Sequence, residues 1–374
     1  MSEPARILQN SLRQAKEAGN DPVIDDDTTR SSVRYVVRCS TKSGIRAVLA
    51  CSLAKVHNPN LDIRKPYTEI GDPDSYSGRT IDEQYIEDFV LDRDLPANQT
   101  TAWLTPAFRT NSETLERGTE LTGTPAKLYK SVIDLLNDVY EGKISASELL
   151  VETFRQQLLL KREQQNRLEQ LKEEIGGEED KIPLSSEEIV TLVNQHLESP
   201  HSSRLPVLVV AAAYRAAESN LGTEVRSLYS HNAPDVQTGA LGDVEITVEN
   251  SSEIVTCYEM KYKEVTEGDV RTAVKKISRY DGRIDNYIFI TTEDIDEDVR
   301  DYMKSLYREL GGVEIAILDC IGFLRHFLHL FHRLRNDFLD EYQELVLAQP
   351  DNDVPQPLKE AFLSLRRNAE EISS

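Results

Sequence analysis

Polar and apolar residues alternate most clearly in two neighbouring runs, LGDVEITVEN and EIVTCYEMKYK, joined through Asn250-Ser251-Ser252. A period of two marks a strand, and the joining residues suit a tight turn, so the pair predicts a β-hairpin. Elsewhere before residue 221 the period is helical. Helices are expected over 4–19, 28–39, 43–56 with Gly44 as a break, 80–92, 125–141, 185–198 and 205–221. Ser145 with Glu148 forms a capping-box pattern that opens a further helix reaching about Ile175. Residues 58–78 and 95–110 are rich in Pro, Gly, Asp and Asn and are expected to be irregular. After the hairpin the pattern predicts a helix at 267–280, a strand at 284–291, a helix at 294–310 and a strand at 313–318. Helices follow over 321–348 and 355–372. The two late strands lack alternation and are expected to be central and buried. This order describes an α/β (α+β) fold with a mixed β-sheet flanked by helices, preceded by a mainly helical N-terminal region. The segment GGEEDKIP at 176–183 is the expected boundary. It separates a region 1–176 from a core 183–348, with a terminal helix at 349–374.

The faces of the hairpin carry the chemistry. Asp243 and Glu245 share one face of the first strand, and Glu259, Lys261 and Lys263 share one face of the second. Folding the hairpin brings Asp243 towards Glu259 and Lys261. Two carboxylates are hard donors of the kind Mg²⁺ takes together with water and substrate phosphate oxygens. A metal held there polarises a phosphodiester and acidifies an attacking water. Lys261 offsets the negative charge that builds in the transition state; a role as proton acceptor would need a lowered pKa. Glu218, late in the preceding helix, is a candidate third ligand, with an ion pair to Arg215 as the alternative. Glu245 reads as an exposed strand residue or a supporting group.

Composition qualifies this reading. The 374 residues carry a formal net charge of −22, which argues against a generally nucleic-acid-binding surface. Residues 30–65 are the exception, with eight basic residues against Asp62 alone. Arg30, Arg34, Arg38, Lys42 and Arg46 recur every four positions and would form a basic stripe if helical, suited to a phosphate backbone. A solvated helix face is the alternative. Lys275 and Lys276 add basic charge to the helix after the hairpin. Four scattered cysteines without CxxC spacing point to a reducing cytoplasm and against a zinc site. No apolar run reaches the ~18 residues of a membrane span, and the amino terminus reads as neither secretory signal nor transit peptide. His326, His329 and His332 sit among Phe and Leu and read as an amphipathic packing or phosphate-facing helix. GxSxG, GxxxxGK[ST] and GxGxxG motifs are absent.

Helix, hairpin with D…ExK, basic helix and buried strand is the element order of the PD-(D/E)xK nuclease core, although Gly242 stands where that pattern has proline. The runs KPYTEIGDPDSYSGRTIDEQYI (65–86), LPANQTTAWLTPAFRT (95–110) and SRLPVLVVAAAYRAA (203–217), with the GDVEI…EMKYK hairpin, resemble the SacI family of type II restriction endonucleases. The resemblance implies Mg²⁺-dependent cleavage of unmethylated double-stranded DNA at a short palindrome, leaving 5′-phosphate ends. It also implies a cognate methyltransferase that protects host DNA, and catalytic roles for Asp243, Glu259 and Lys261. A repair or recombination nuclease of the same fold, or a non-catalytic DNA-binding scaffold, are the alternatives. Region 1–176 is then expected to recognise DNA or to dimerise. Arg79, Asn98 and Gln99 (with Thr100, Thr101 and Arg109) are candidate base readers. Two-fold DNA suggests a homodimer.

Overall fold

The computed structural model describes residues 2–98, 100–175, 183–226, 228 and 240–372. It divides into two compact units, Met1–Arg167 and Leu168–Ser374. Most of the 176–183 segment, expected as the boundary, lies outside the described residues, and so does Gln99.

The first unit is helical. It contains α1 (Glu3–Ala18), α2 (Asp27–Arg38), α3 (Ser43–His57), α4 (Ala126–Tyr140) and the start of α5 (Ala146–Ile175). Helix α3 is the axis of this unit, since every residue from Ser43 to Ala54 is buried. Gly44 therefore does not break the chain as the sequence suggested. It lies inside α3, where a Cβ would come within 2.8 Å of Leu128 on α4. Arg46 is also buried, at 0% exposure, and cannot face a phosphate backbone. Its guanidinium donates to Asp82 at 2.9 Å, to Glu87 at 2.7 Å and to the Asn98 carbonyl at 3.1 Å. Asp82 and Glu87 belong to a helical stretch, Gly78–Leu91, interrupted by a wide turn at Asp82–Ile86. The single arginine thus ties this stretch to the 95–110 loop. Gly78 reinforces that junction: a Cβ there would meet the Trp103 ring at 2.2 Å. The capping box that opens α5 is present, with Ser145 and Glu148 bonded reciprocally.

The second unit holds a five-stranded sheet, with strands in the order of the chain. The elements are α6 (Ser186–Leu197), α7 (Leu205–Ala216), β1 (Thr223–Val225), β2 (Val244–Val248), β3 (Ile254–Lys261), α8 (Glu267–Arg279) and β4 (Asn286–Thr291). Then come α9 (Glu297–Glu309), β5 (Glu314–Asp319), α10 (Cys320–Leu330), α11 (Arg335–Ala348) and α12 (Gln356–Ile372). Strands β1–β2–β3 are antiparallel, and β3–β4–β5 are parallel. Val244, Ile246, Tyr258, Met260 and Ile290 pack one face of the sheet into the core built by α6, α7 and α10–α12. Cys257, Tyr287, Phe289, Ile315 and Ile317 pack the other face with residues of α8 and α9. The mixed sheet between helices is the α+β architecture expected from the sequence.

Two expectations change. Among the described residues strand β5 is an edge, not a central strand: Ile315 and Ile317 are buried while Glu314 and Leu318 are exposed. The 205–221 helix stops at Ala216 and restarts as one turn, Glu218–Leu221, before a left-handed Gly222 at φ 62°. Among the described residues no helix is long and apolar enough to cross a membrane.

The larger core also contains an ionisable group held neutral. His196 on α6 is fully buried, with Nδ1 3.0 Å from the Tyr342 hydroxyl and Nε2 3.0 Å from the Leu358 carbonyl. The carbonyl can only accept, so Nε2 carries the proton and Nδ1 accepts from Tyr342. Burial pushes the imidazole down to about 4. In the unfolded chain it protonates near 6.5, so stability present above pH 6.5 is lost as pH falls towards 4. The stability advantage of wild type over His196→Gln is expected to shrink by about 3 kcal/mol across that window. Urea unfolding at pH 7 and at pH 4.5 checks this, and a pH-independent difference would contradict it.

Candidate active site

The hairpin of β2 and β3 sets the site by register. Val244 pairs with Tyr258 and Glu245 with Cys257. Asp243 thus enters β2 opposite the stretch of β3 that carries Glu259. Its backbone N–H donates to the Tyr258 carbonyl at 2.8 Å. Its carboxylate Oδ2 accepts from the Met260 N–H at 2.7 Å. That bond fixes the side chain against the β3 backbone immediately after Glu259. The close approach explains the glycine before the aspartate. A Cβ on Gly242 would lie 2.6 Å from the Tyr258 carbonyl oxygen, so neither proline nor alanine fits.

Glu259 and Lys261 share a face of β3 and form an ion pair, with Nζ 2.8 Å from Oε1. Lys261 is also 3.3 Å from Asp269 Oδ1. The other oxygen of Glu259, Oε2, accepts from Lys276 at 2.7 Å and from the Tyr287 hydroxyl. Tyr287 lies on β4, and its hydroxyl is also 3.1 Å from the Leu241 carbonyl. Helix α8 supplies both outer partners from one stripe, since Asp269, Ala273 and Lys276 follow at helical spacing. The helix is fixed by a capping box between Thr266 and Asp269. Asp269 therefore caps the helix and holds Lys261. Charges alternate along the line Asp269, Lys261, Glu259, Lys276.

This alternation governs the protonation states. Burial alone would raise the Glu259 carboxyl. The Lys276 charge and hydrogen bonds from Lys261, Lys276 and Tyr287 outweigh it, and the carboxyl sits below its ordinary value. Burial disfavours the Lys261 ammonium, but Glu259 and Asp269 overcome this and hold it above its ordinary value. Lys261 is thus a charged group here, not a neutral amine. Tyr287 is held protonated, by burial first and then by the Glu259 charge. Behind Asp243 stands Arg204, buried at 2% exposure at the start of α7. Burial lowers its pKa, while the charges of Asp353 and Asp243 act in the opposite sense.

Several candidate residues stand elsewhere than expected. Glu245 is buried, not exposed, at 4%. It accepts from the Leu241 N–H at 2.7 Å and from Arg226 at 3.0 Å, so it braces the chain just before Asp243. Glu218 is exposed on its single turn beyond the break at Ala217. Its proposed partner Arg215 lies 3.8 Å from Glu341 instead. Among the described residues no three His, Cys, Asp or Glu side chains are grouped to hold a metal, so Glu218 does not join Asp243 and Glu259. Lys276, expected to meet DNA, reaches Glu259. Lys275 beside it is exposed, and Lys263 is exposed with Asp269 at 3.7 Å.

The N-terminal basic stripe is not continuous, because α2 ends at Arg38 and α3 begins at Ser43. Arg34 is exposed, but Arg38 pairs with Glu163 at 2.5 Å and Lys42 donates to the Val37 carbonyl at 2.8 Å. Arg79 is exposed and pairs with Glu83 at 2.7 Å, and Asn98 bonds Thr100 within its loop. His329 meets Glu187 at 3.0 Å on the outer face of α10, whose inner face buries Leu324, Phe327 and Leu328.

Asp269, Tyr287, Arg204 and Arg226 were missed by sequence reasoning. Only Asp269 had a local signal, the T-x-x-D cap at 266–269. Asp243 and Glu259 are carboxylates, the donor type that Mg²⁺ takes together with several waters and substrate phosphates.

Residues 181–292 match the family model of the SacI restriction endonuclease C-terminal domain, a span containing β2, β3, α8 and β4 and every residue of the charge line. A comparison with curated proteins gave no match. The matched domain is a nuclease domain that acts on DNA, and over that span the chain is similar to the C-terminal domain of SacI restriction endonucleases.

Proposed function

We propose that the protein is a type II restriction endonuclease that makes Mg²⁺-dependent, sequence-specific double-strand breaks in unmethylated DNA, leaving 5′-phosphate ends. The observation that carries this reading is the meeting of Asp243 with the β3 backbone beside the Glu259–Lys261 pair. Asp243 and Glu259 are the proposed metal ligands, without Glu218. When bound, the cation supplies polarisation of the scissile phosphate and acidification of a water. Lys261, held as an ammonium between Glu259 and Asp269, offers its charge to the phosphorane-like oxygens as negative charge grows. Tyr287 and Lys276 orient Glu259. Arg34, Arg79, Lys263 and Lys275 are exposed and are the proposed contacts to phosphates or bases.

A palindromic target calls for a homodimer, and a cognate methyltransferase acting on the same sequence is the functional counterpart in the host. Incubating the protein with long unmethylated DNA and Mg²⁺, then sequencing the fragment ends, tests the proposal. Discrete fragments sharing one terminal sequence are expected. A smear would point to a repair-type nuclease, and intact DNA that is still bound would point to a non-catalytic scaffold; either result refutes site-specific cleavage.

A further inference from the structure

We propose that Tyr287 and Glu245 are positioning residues that fix Asp243 relative to Glu259, and that this fixing makes the two carboxylates select Mg²⁺ over the larger Ca²⁺. This inference rests on the reading of Asp243 and Glu259 as metal ligands. Register supplies the geometry. Glu245 on β2 pairs with Cys257 on β3, and Cys257 pairs with Tyr287 on β4. The three side chains therefore stand in one row across one face of the sheet. Cys257, the small middle member, is fully buried. The chain entering Asp243 passes close to it, since a Cβ on Gly242 would lie 3.5 Å from the Cys257 Cβ. Both flanking members of the row reach the same residue, Leu241. Glu245 accepts from the Leu241 N–H at 2.7 Å, and the Tyr287 hydroxyl is 3.1 Å from the Leu241 carbonyl.

The Tyr287 hydroxyl also donates to Glu259 Oε2. One buried hydroxyl thus bridges the stretch that delivers Asp243 and the carboxylate of Glu259. Its single proton lies between two acceptors, so displacement of either is felt by the other. The point that needs fixing is Gly242. The approach to the Tyr258 carbonyl demands glycine there, and glycine leaves the backbone its widest choice of conformations. On one side of Gly242, Asp243 is tied to β3 through its own N–H and through the Met260 N–H. On the other side, Leu241 is held at both its N–H and its carbonyl by the row. Mg²⁺ demands near-ideal octahedral geometry at about 2.1 Å, whereas Ca²⁺ accepts irregular geometry at about 2.3–2.6 Å. Slack between Asp243 and Glu259 therefore weakens Mg²⁺ binding more than Ca²⁺ binding.

Calorimetric titration of the full chain with Mg²⁺ and with Ca²⁺, without DNA, tests this. Tyr287→Phe keeps the buried ring and removes only the hydroxyl. It is expected to weaken Mg²⁺ binding about tenfold and Ca²⁺ binding by less than about twofold. Glu245→Met is expected to do the same. Glu245→Gln, whose side-chain carbonyl still accepts from the Leu241 N–H, is expected to bind Mg²⁺ within about threefold of wild type. A merely structural role predicts lower melting temperatures with the ratio of the two affinities unchanged. Asp243→Asn is the control that assigns the binding to this site. Equal losses for the two ions, or wild-type Mg²⁺ affinity in Tyr287→Phe, overturns the selection while leaving the metal-centre reading intact. A Glu245→Gln variant as weak as Glu245→Met overturns the role given to Glu245. Absence of Asp243-dependent binding of either ion in wild type overturns the metal-centre reading as well.

Discussion

Asp243→Asn is expected to lower the rate of DNA cleavage by about 10³-fold or more while leaving the fold and DNA binding in place. Oδ2 accepts a hydrogen bond from Met260, and an asparagine carbonyl can accept the same bond, so the strand contact survives. What disappears is the negative charge, and with it one of the two ligands for a hard cation. Single-turnover cleavage in Mg²⁺, DNA binding in Ca²⁺ and thermal unfolding check the three parts of the expectation. A cleavage rate within a few-fold of wild type would remove Asp243 from the metal site.

Arg46→Met is expected to destabilise the N-terminal unit by about 3–5 kcal/mol, the largest effect on stability anticipated for any single residue here. The side chain is fully buried against Asp82, which is itself at 0% exposure, and burial already pushes the Asp82 carboxyl above its ordinary value despite the arginine. Without the guanidinium, Asp82 is an uncompensated buried acid and the Asn98 carbonyl loses a donor. Replacing both partners with apolar residues of similar volume is expected to recover much of the loss, because the cost arises from the orphaned partner more than from the lost attraction. Urea unfolding of Arg46→Met and of Arg46→Met/Asp82→Leu tests this; a single variant as stable as wild type would mean the pair is not holding the 78–91 stretch to the loop.

The hairpin was legible in the sequence because polar and apolar residues alternate along VEITV in β2 and along YEMK at the end of β3. The start of α5 was legible because a capping box is a local device. Errors arose where a residue's surroundings come from distant parts of the chain. Arg46 fits a four-residue basic period, yet it sits in GIRAVLACSLA, a run too apolar to present a solvated face, and its partners lie 36 and 41 residues away. Strand β5 is as apolar as a central strand in the sequence, and only the sheet order shows that nothing pairs beyond it among the described residues. Glu245 alternates like an exposed residue, but Arg226 and the Leu241 N–H turn it into a buried brace. Lys276 and Lys275 are adjacent and look alike in the sequence; the helical stripe through Asp269 and Ala273 sends the first to Glu259 and leaves the second in solvent.

The central claim is that Asp243, Glu259 and Lys261 act as one cutting centre, and a double-mutant cycle measures this most directly. Cleavage rates of Asp243→Asn, Lys261→Met and the combined variant are compared in Mg²⁺. Groups that act as a unit are strongly non-additive, so the combined variant is expected to be no slower than the worse single variant. Losses that multiply independently, or a wild-type rate in either single variant, would contradict the account.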